Sequence, residues 1–223
     1  MGALSSAELG AICALSYLIG SIPIGWLAVK WRDRRDLRSL GTGNVGTANI
    51  YRNVGGALAV LIGPLQFAQG LVPVLIAHLT RAPLEVQALA GLFALLGNGW
   101  PIWLRFNGGR GVAVATGVVA ALSLPLLGLL LALYILGQLV RQLPVGVLAG
   151  FLLLPLVDWW RLGGALAVPL LAIAVMIMLR RLEGLAADAQ RFGGMPELAL
   201  RRLVLDERPG RPLVGRREDL PAH

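Results

Sequence analysis

The chain has 223 residues, 57% of them hydrophobic and 14% charged, with a mean hydropathy of +0.73. Soluble domains carry about 25% charged residues, so this composition excludes an ordinary soluble domain and points to an integral membrane protein. The net charge of +8 sits in loops beside apolar runs, without the interleaved aromatics of a single-strand binder, so no nucleic-acid partner is expected.

Repeated long apolar runs argue for an all-α polytopic bundle rather than a barrel of short alternating strands. Cys13, the one cysteine, lies inside an apolar run, which leaves neither a disulfide nor a thiolate metal site. The first span is expected from about Leu9 to Trp31. No basic region precedes it, so a cleavable signal peptide is not expected. Inside this span the run Gly20-Ser21-Ile22-Pro23-Ile24-Gly25 should break the helix, because Pro23 lacks a backbone donor. Such breaks persist where the freed carbonyls face protein or a polar site. Ser21 then either bonds its own helix or belongs to that site.

A basic run from Lys30 to Arg38 leads into Gly41–Gly55, GTGNVGTANIYRNVG. Glycines there can turn successive N–H groups toward one point, an anion-binding nest. Thr42, Asn44, Thr47 and Asn49 add neutral donors, and Arg52 adds a planar fork suited to phosphate. Asn49 and Arg52 would share a face if a helix begins near Thr47. The competing reading is a plain membrane turn.

The second span is expected over Gly56–Leu79, with Gln66 and Gln69 inside it and His78 at the far end. The third is expected over Leu84–Leu104. It ends in a second glycine-rich loop, Arg105 to Gly111, with Arg110 beside Gly108, Gly109 and Gly111 ahead of an apolar helix whose N-terminus favours anions. Val112–Val140 is too long for one span and should hinge at Ser123-Leu124-Pro125. The sixth and seventh spans are expected over Val145–Val157 and Gly164–Leu179. Of the 20 cationic residues, only Arg81 and Arg161 then fall outside. That asymmetry gives seven spans, with the N-terminus outside and both glycine loops and the C-terminus cytoplasmic. Beyond Arg180 the chain turns charged, with an amphipathic helix expected over Met195–Leu205, lying on anionic lipid through Arg201 and Arg202. The tail after Pro209 reads as disordered.

Two cationic glycine loops suit phosphate and an apolar bundle suits an acyl chain, so the ligand should carry both. No Ser–His–Asp set, HExxH, metal set or P-loop lysine signature is present, so neither a metal nor a cofactor is expected.

The residues Gly20-Ser21-Ile22-Pro23-x-Gly25-x-Leu27, Asp36-Leu37-Arg38 and Gly41-Thr42-Gly43-Asn44-Val45-Gly46-Thr47-Ala48-Asn49-x-x-Arg52 resemble the PlsY family. Its members are acyl-phosphate-dependent glycerol-3-phosphate acyltransferases, with the pattern GSIPxGxL…DIRxxGSGNxGATNxxR. Phe106 to Ala113 similarly resembles that family's FKGGKGVAT. The resemblance implies a seven-span acyltransferase-like domain over residues 1–182 of a bacterial inner-membrane enzyme, followed by a cytoplasmic tail over 183–223. Its substrates would be acyl phosphate and glycerol 3-phosphate, with membrane lipids around it. Carried over by position, it gives catalytic roles to Thr42, Asn49, Arg52 and Arg110. Substrate-binding roles fall to Ser21, Arg38, Gly41, Gly43, Asn44, Gly46, Thr47, Gly108, Gly109, Gly111, Arg181 and Glu183.

The departures are specific. Thr47-Ala48 reverses the family's Ala-Thr, Arg110 replaces its lysine, Asn98 its histidine, and Pro144-Val145-Gly146-Val147 its Ser-Leu-Gly-Ser turn. The closing RHRENxxR aligns with Arg180 to Ala187, where histidine and asparagine are missing. This implies a kept acyl-phosphate half and an eroded acceptor half. Two readings stay open, an active acyltransferase and a non-catalytic protein that binds acyl phosphate or phospholipid. An anion transporter would need cations near mid-membrane, and none is found.

Overall fold

The computed structural model describes residues 5–192 and 194–206, and every regular element among them is helical. Helix α1 (Ser6–Ser21) opens on a capping box, in which Ser5 and Glu8 satisfy each other's backbone N–H groups. It stops at Ile22-Pro23, where proline removes a donor, and α2 (Ile24–Asp33) resumes the run. The freed carbonyls are not left bare. Gln69 Nε2, from the helix over Gly56–Leu79, donates to the carbonyls of Ile19 (2.9 Å) and Ile22 (2.8 Å). A buried polar side chain thus settles the hydrogen-bond debt of a broken membrane helix.

A short 3₁₀ turn (Leu37–Ser39) and the first glycine loop lead to α3 (Thr47–Asn53), then α4 (Gly56–Leu79). Helix α5 (Leu84–Gly99) is shorter than its expected span. Pro101 ends the regular ladder, and Ile102–Leu104 forms only a 3₁₀ turn. The hinge at Ser123 separates α6 (Val112–Leu122) from α7 (Leu124–Leu139). Helix α8 (Leu143–Arg161) extends four residues past its expected end at Val157, and α9 (Ala167–Leu182) starts late. The delay has a cause. Gly163 and Gly164 hold positive φ (89° and 76°), and the Asp158 carboxylate accepts from Leu166 N (2.9 Å), fixing the turn.

Ser6–Asp33, Gly56–Leu79 and Leu143–Arg161 are long and apolar enough to cross a membrane; α6 and α7 are shorter apolar helices. The helices meet in pairs through glycine. A Cβ on Gly20 would lie 1.9 Å from Ala94 O and one on Gly97 2.1 Å from Tyr17 O, so α1 and α5 touch backbone to backbone. Gly70 and Gly117 do the same for α4 and α6, at 1.9 Å from Val114 O and 2.0 Å from Phe67 O. Lipid tails are as apolar as leucine, so close van der Waals approach rather than hydrophobic burial holds such pairs together. Val118, Leu130, Leu154 and Ile173 fill the centre.

After α9 the chain folds back. Helices α10 (Leu185–Phe192) and α11 (Met195–Leu200) pack on each other and lead to a π turn (Arg201–Leu205) that packs against α8 and α9. This corrects the expectation for Arg202. It is wholly buried, donating to Glu183 O (2.8 Å) and pairing with Asp188, and so does not reach lipid. An isolated guanidinium is costly to bury, so these partners fix its position. Arg201 remains exposed and pairs with Glu197. The tail after Pro209 lies outside the described residues.

Candidate functional site

The first glycine loop is built around one side chain. Asn49, on α3, is buried; its amide nitrogen donates to the carbonyls of Leu40 (3.0 Å) and Asn44 (2.8 Å). Its Oδ1 accepts from Thr42 N (3.2 Å) and Asn53 Nδ2 (2.9 Å). Gly41, at φ 48°, sits so close that a Cβ would lie 2.2 Å from Asn53 Nδ2. Four further amides of the loop are also engaged. Gly43 N donates to Leu40 O, Asn44 N to Thr42 Oγ1, Gly46 N to Asn44 Oδ1, and Thr47 N to Gln66 Oε1. The expected nest of N–H groups aimed at an anion is therefore not formed by these amides. They are spent on the loop's own shape.

The second loop joins the first through Asn44, whose Oδ1 also accepts from Arg110 N (3.2 Å). It is anchored from the other side by Arg180, at the end of α9. Arg180 Nε donates to Gly109 O (2.9 Å) and Nη2 to Gly108 O (2.8 Å). Its guanidinium lies 5.2 Å from the Trp100 ring centroid and pairs with Glu183. Gly111, at φ 75°, turns the chain into α6.

Where these parts meet there is a cleft. Arg38, Thr42, Gly43 and Asn44 line it from the first loop, Asn107, Gly108 and Arg110 from the second, and Arg180 and Glu183 from α9. Arg38 is held by Asp36 through a 2.7 Å Nη2–Oδ2 bond, and Trp26 Nε1 donates to the same carboxylate (3.0 Å). The Arg38 hydrogen bond holds the Asp36 carboxyl well below the ordinary carboxylate range, against the opposing effect of burial, and Asp36 raises the Arg38 guanidinium in turn. Three guanidiniums line the cleft, each paired with a carboxylate (Asp36, Asp206 and Glu183), and the planar fork can hold a carboxylate on one edge and an anion on another.

Other residues singled out from the sequence lie elsewhere. Arg52 is exposed and does not line the cleft. Helix α3 buries Asn49, Ile50 and Asn53; at about 100° per residue, Arg52 falls roughly 110° from the centre of that stripe. Thr47 Oγ1 donates to Gln66 Oε1 (2.7 Å), tying α3 to α4. Ser21 is fully buried; its hydroxyl donates to Leu18 O (2.9 Å) and accepts from Trp103 Nε1 (3.0 Å), so it ties the helix break to the loop after α5. Arg181 turns away from the cleft, donating to Leu203 O and to Pro144 O (3.4 Å). His78 is exposed in the last turn of α4, remote from the loop that precedes that helix.

Arg180 and Asn107 were missed as site residues. For Arg180 the signal was a second arginine at the end of the seventh span, and only helix packing decides which of the adjacent pair faces the loops.

The glycerol-3-phosphate acyltransferase family model matches residues 10–186. The glycerol-3-phosphate acyltransferase of Synechococcus sp. (strain CC9902) is 36% identical over 171 residues, covering 75% of this chain and 84% of that protein. Glycerol-3-phosphate acyltransferase 5 of Dehalococcoides mccartyi is 30% identical, covering 85% of this chain and 84% of its own length. Among solved structures, PlsY (YgiH), an integral membrane glycerol 3-phosphate acyltransferase, superposes in its glycerol 3-phosphate form with a TM-score of 0.72. The identity is 28%, covering 85% of this chain and 97% of that one. Its lysophosphatidic acid form superposes at 0.68 with 26% identity, over 83% of this chain and 92% of that one. Sequence, length and fold agree, and this chain belongs to the PlsY-type glycerol-3-phosphate acyltransferase family.

Proposed function

We propose that this protein transfers an acyl group from acyl phosphate to the 1-hydroxyl of glycerol 3-phosphate, giving lysophosphatidate and inorganic phosphate for phospholipid synthesis. The observation that carries the reading is the cleft at which both glycine loops meet, lined by Arg38, Arg110 and Arg180 at one end of an apolar bundle. The relatives' shared activity and the two ligand forms of PlsY point the same way. The substrates are anions with an apolar acyl chain on one of them, and the surrounding lipid bilayer supplies that chain's route.

In this reading the residues divide as follows. Arg110, Arg38 and Thr42 bind the phosphate of acyl phosphate, with Gly43, Asn44, Gly108 and Gly109 forming the walls. Arg180 and Glu183 face the acceptor, Arg180 toward its phosphate and Glu183 toward a glycerol hydroxyl. The hydroxyl oxygen attacks the acyl carbonyl carbon, the carbon–oxygen bond to phosphate breaks, and phosphate leaves with the hydroxyl proton on one of its oxygens. Guanidiniums that strengthen their hold as charge moves onto the leaving phosphate lower the barrier, so no protein base is required. Asn49, Gly41, Gly46 and Thr47 shape the first loop, and Gly111 the second.

The same reading places the protein in the bacterial inner membrane with seven spans: α1–α2, α4, α5, α6, α7, α8 and α9. The N-terminus is then outside and the cleft faces the cytoplasm, a sidedness supported by the distribution of cationic residues. Purified protein given acyl phosphate and glycerol 3-phosphate should release phosphate and form lysophosphatidate in equal amounts. Acyl phosphate that binds but is never turned over would replace this reading with that of a binding protein.

A further inference from the structure

The family match ends at residue 186, yet the described chain runs on to Asp206 and returns to the site. The returning arm has anchors besides Asp206. Arg202 Nη1 donates to Glu183 O (2.8 Å), its Nη2 pairs with Asp188, and Leu198 is buried. Asp206 follows at φ 60°, and its carboxylate pairs with Arg110 while lying 3.7 Å from Arg181 Nε. One carboxylate from outside the family-matched region thus serves two buried guanidiniums.

We infer that Asp206 is a positioning residue that sets the Arg110 guanidinium in the phosphate site. Arg110 lines the cleft and Asp206 is not among the residues that do, so the carboxylate grips the guanidinium from outside the site and does not occupy it. Guanidinium suits this arrangement, because its planar fork can be held along one edge while another faces a ligand. Two buried like charges near one another are unfavourable without a shared counter-charge. Replacing the carboxylate by a neutral amide leaves Arg110 and Arg181 to repel, and Arg110 loses its fixed orientation. The inference rests on the proposed role of Arg110 in phosphate binding, and it gives the arm a part in the site.

The test titrates inorganic phosphate calorimetrically into full-length protein. It compares wild type, Asp206→Asn, Asp206→Glu, Arg110→Lys and Asp206→Asn with Arg110→Lys, while hydrogen exchange follows residues 195–206. Asp206→Asn should raise the phosphate Kd about tenfold with the arm still protected, as expected when a charge-assisted contact is lost. Asp206→Glu should recover part of the affinity, and in the Arg110→Lys background the Asp206→Asn effect should fall below about twofold. Unchanged or tighter phosphate binding in Asp206→Asn overturns the inference, tighter binding marking the carboxylate as a competitor of the ligand. So do an equal cost in both Arg110 backgrounds, loss of protection over the arm, and absence of phosphate binding by wild type. Turnover on the same preparations separates the two claims. Asp206-dependent phosphate binding without acyl transfer refutes the proposed function alone; normal turnover with an indifferent Asp206 refutes this inference alone.

Discussion

The two walls of the cleft are held by opposite means. The first glycine loop is fastened by a neutral amide, Asn49, whose hydrogen bonds reach only 4 to 12 positions along the chain. The second loop and the end of α9 are fastened by ions, with Arg180 reaching back 71 and 72 positions and Arg110 forward 96. The first wall is mostly a local shape, tied to the bundle through Gln66 of α4, which accepts from Thr47 N and donates to Val45 O. The second exists only once α5, α6, α9 and the returning arm are together. A neutral network sets geometry without adding charge, whereas the ionic wall supplies charge and geometry with the same side chains.

Breaking the ionic wall should cost most. Arg180→Met leaves two glycine carbonyls and Glu183 without their donor. Phosphate release should fall about 100-fold, somewhat less than a fully buried pair would imply, because Glu183 is partly exposed. A loss below threefold in steady-state turnover would show that the second loop holds its own shape. The neutral wall comes next. Asn49→Ala takes the partner from Thr42 N and from the Asn44 carbonyl and one of two bonds from the Leu37 and Leu40 carbonyls, so turnover should fall about 10- to 30-fold, with a lower melting temperature of the purified protein. If melting falls while turnover stays at the wild-type level, the loop's shape is not what the chemistry needs. The smallest effect sharpens the boundary of the first wall. Arg52→Ala should change acyl-phosphate affinity by less than about threefold, as befits an exposed charge. A tenfold loss would return Arg52 to the substrate.

What could be read from the sequence follows the same division. The bounds of α4, the break at Pro23 and the hinge at Ser123 were legible because proline and the ends of apolar runs are local signals. The two glycine loops were legible as well, being short and cationic. The use of their amides was not, because glycine content says where a chain can turn and not which acceptor its N–H groups find. The choice between Arg180 and Arg181 hung on the rotation of α9 against its neighbours. Arg181 was favoured from motif alignment, yet it faces Pro144 and Leu203. Asp206 had no pattern to announce it, since its partners lie 25 and 96 positions away.

The clasp of Gln69 on the break in the first span bears on the order of assembly. As the ribosome delivers this chain from its N-terminal end, the carbonyls around Ile22 reach the bilayer before Gln69 does. Until α4 stands alongside, those carbonyls keep the local bonds from Ile22 N and Ile24 N but lack the Gln69 amide, and hydrocarbon offers no replacement. The first two spans are therefore best delivered as a hairpin, the earlier one waiting in a wetter place, at the interface or in the insertion machinery, for the later. Replacing Gln69 by leucine would make α4 greasier and easier to insert on its own, while stranding the span before it.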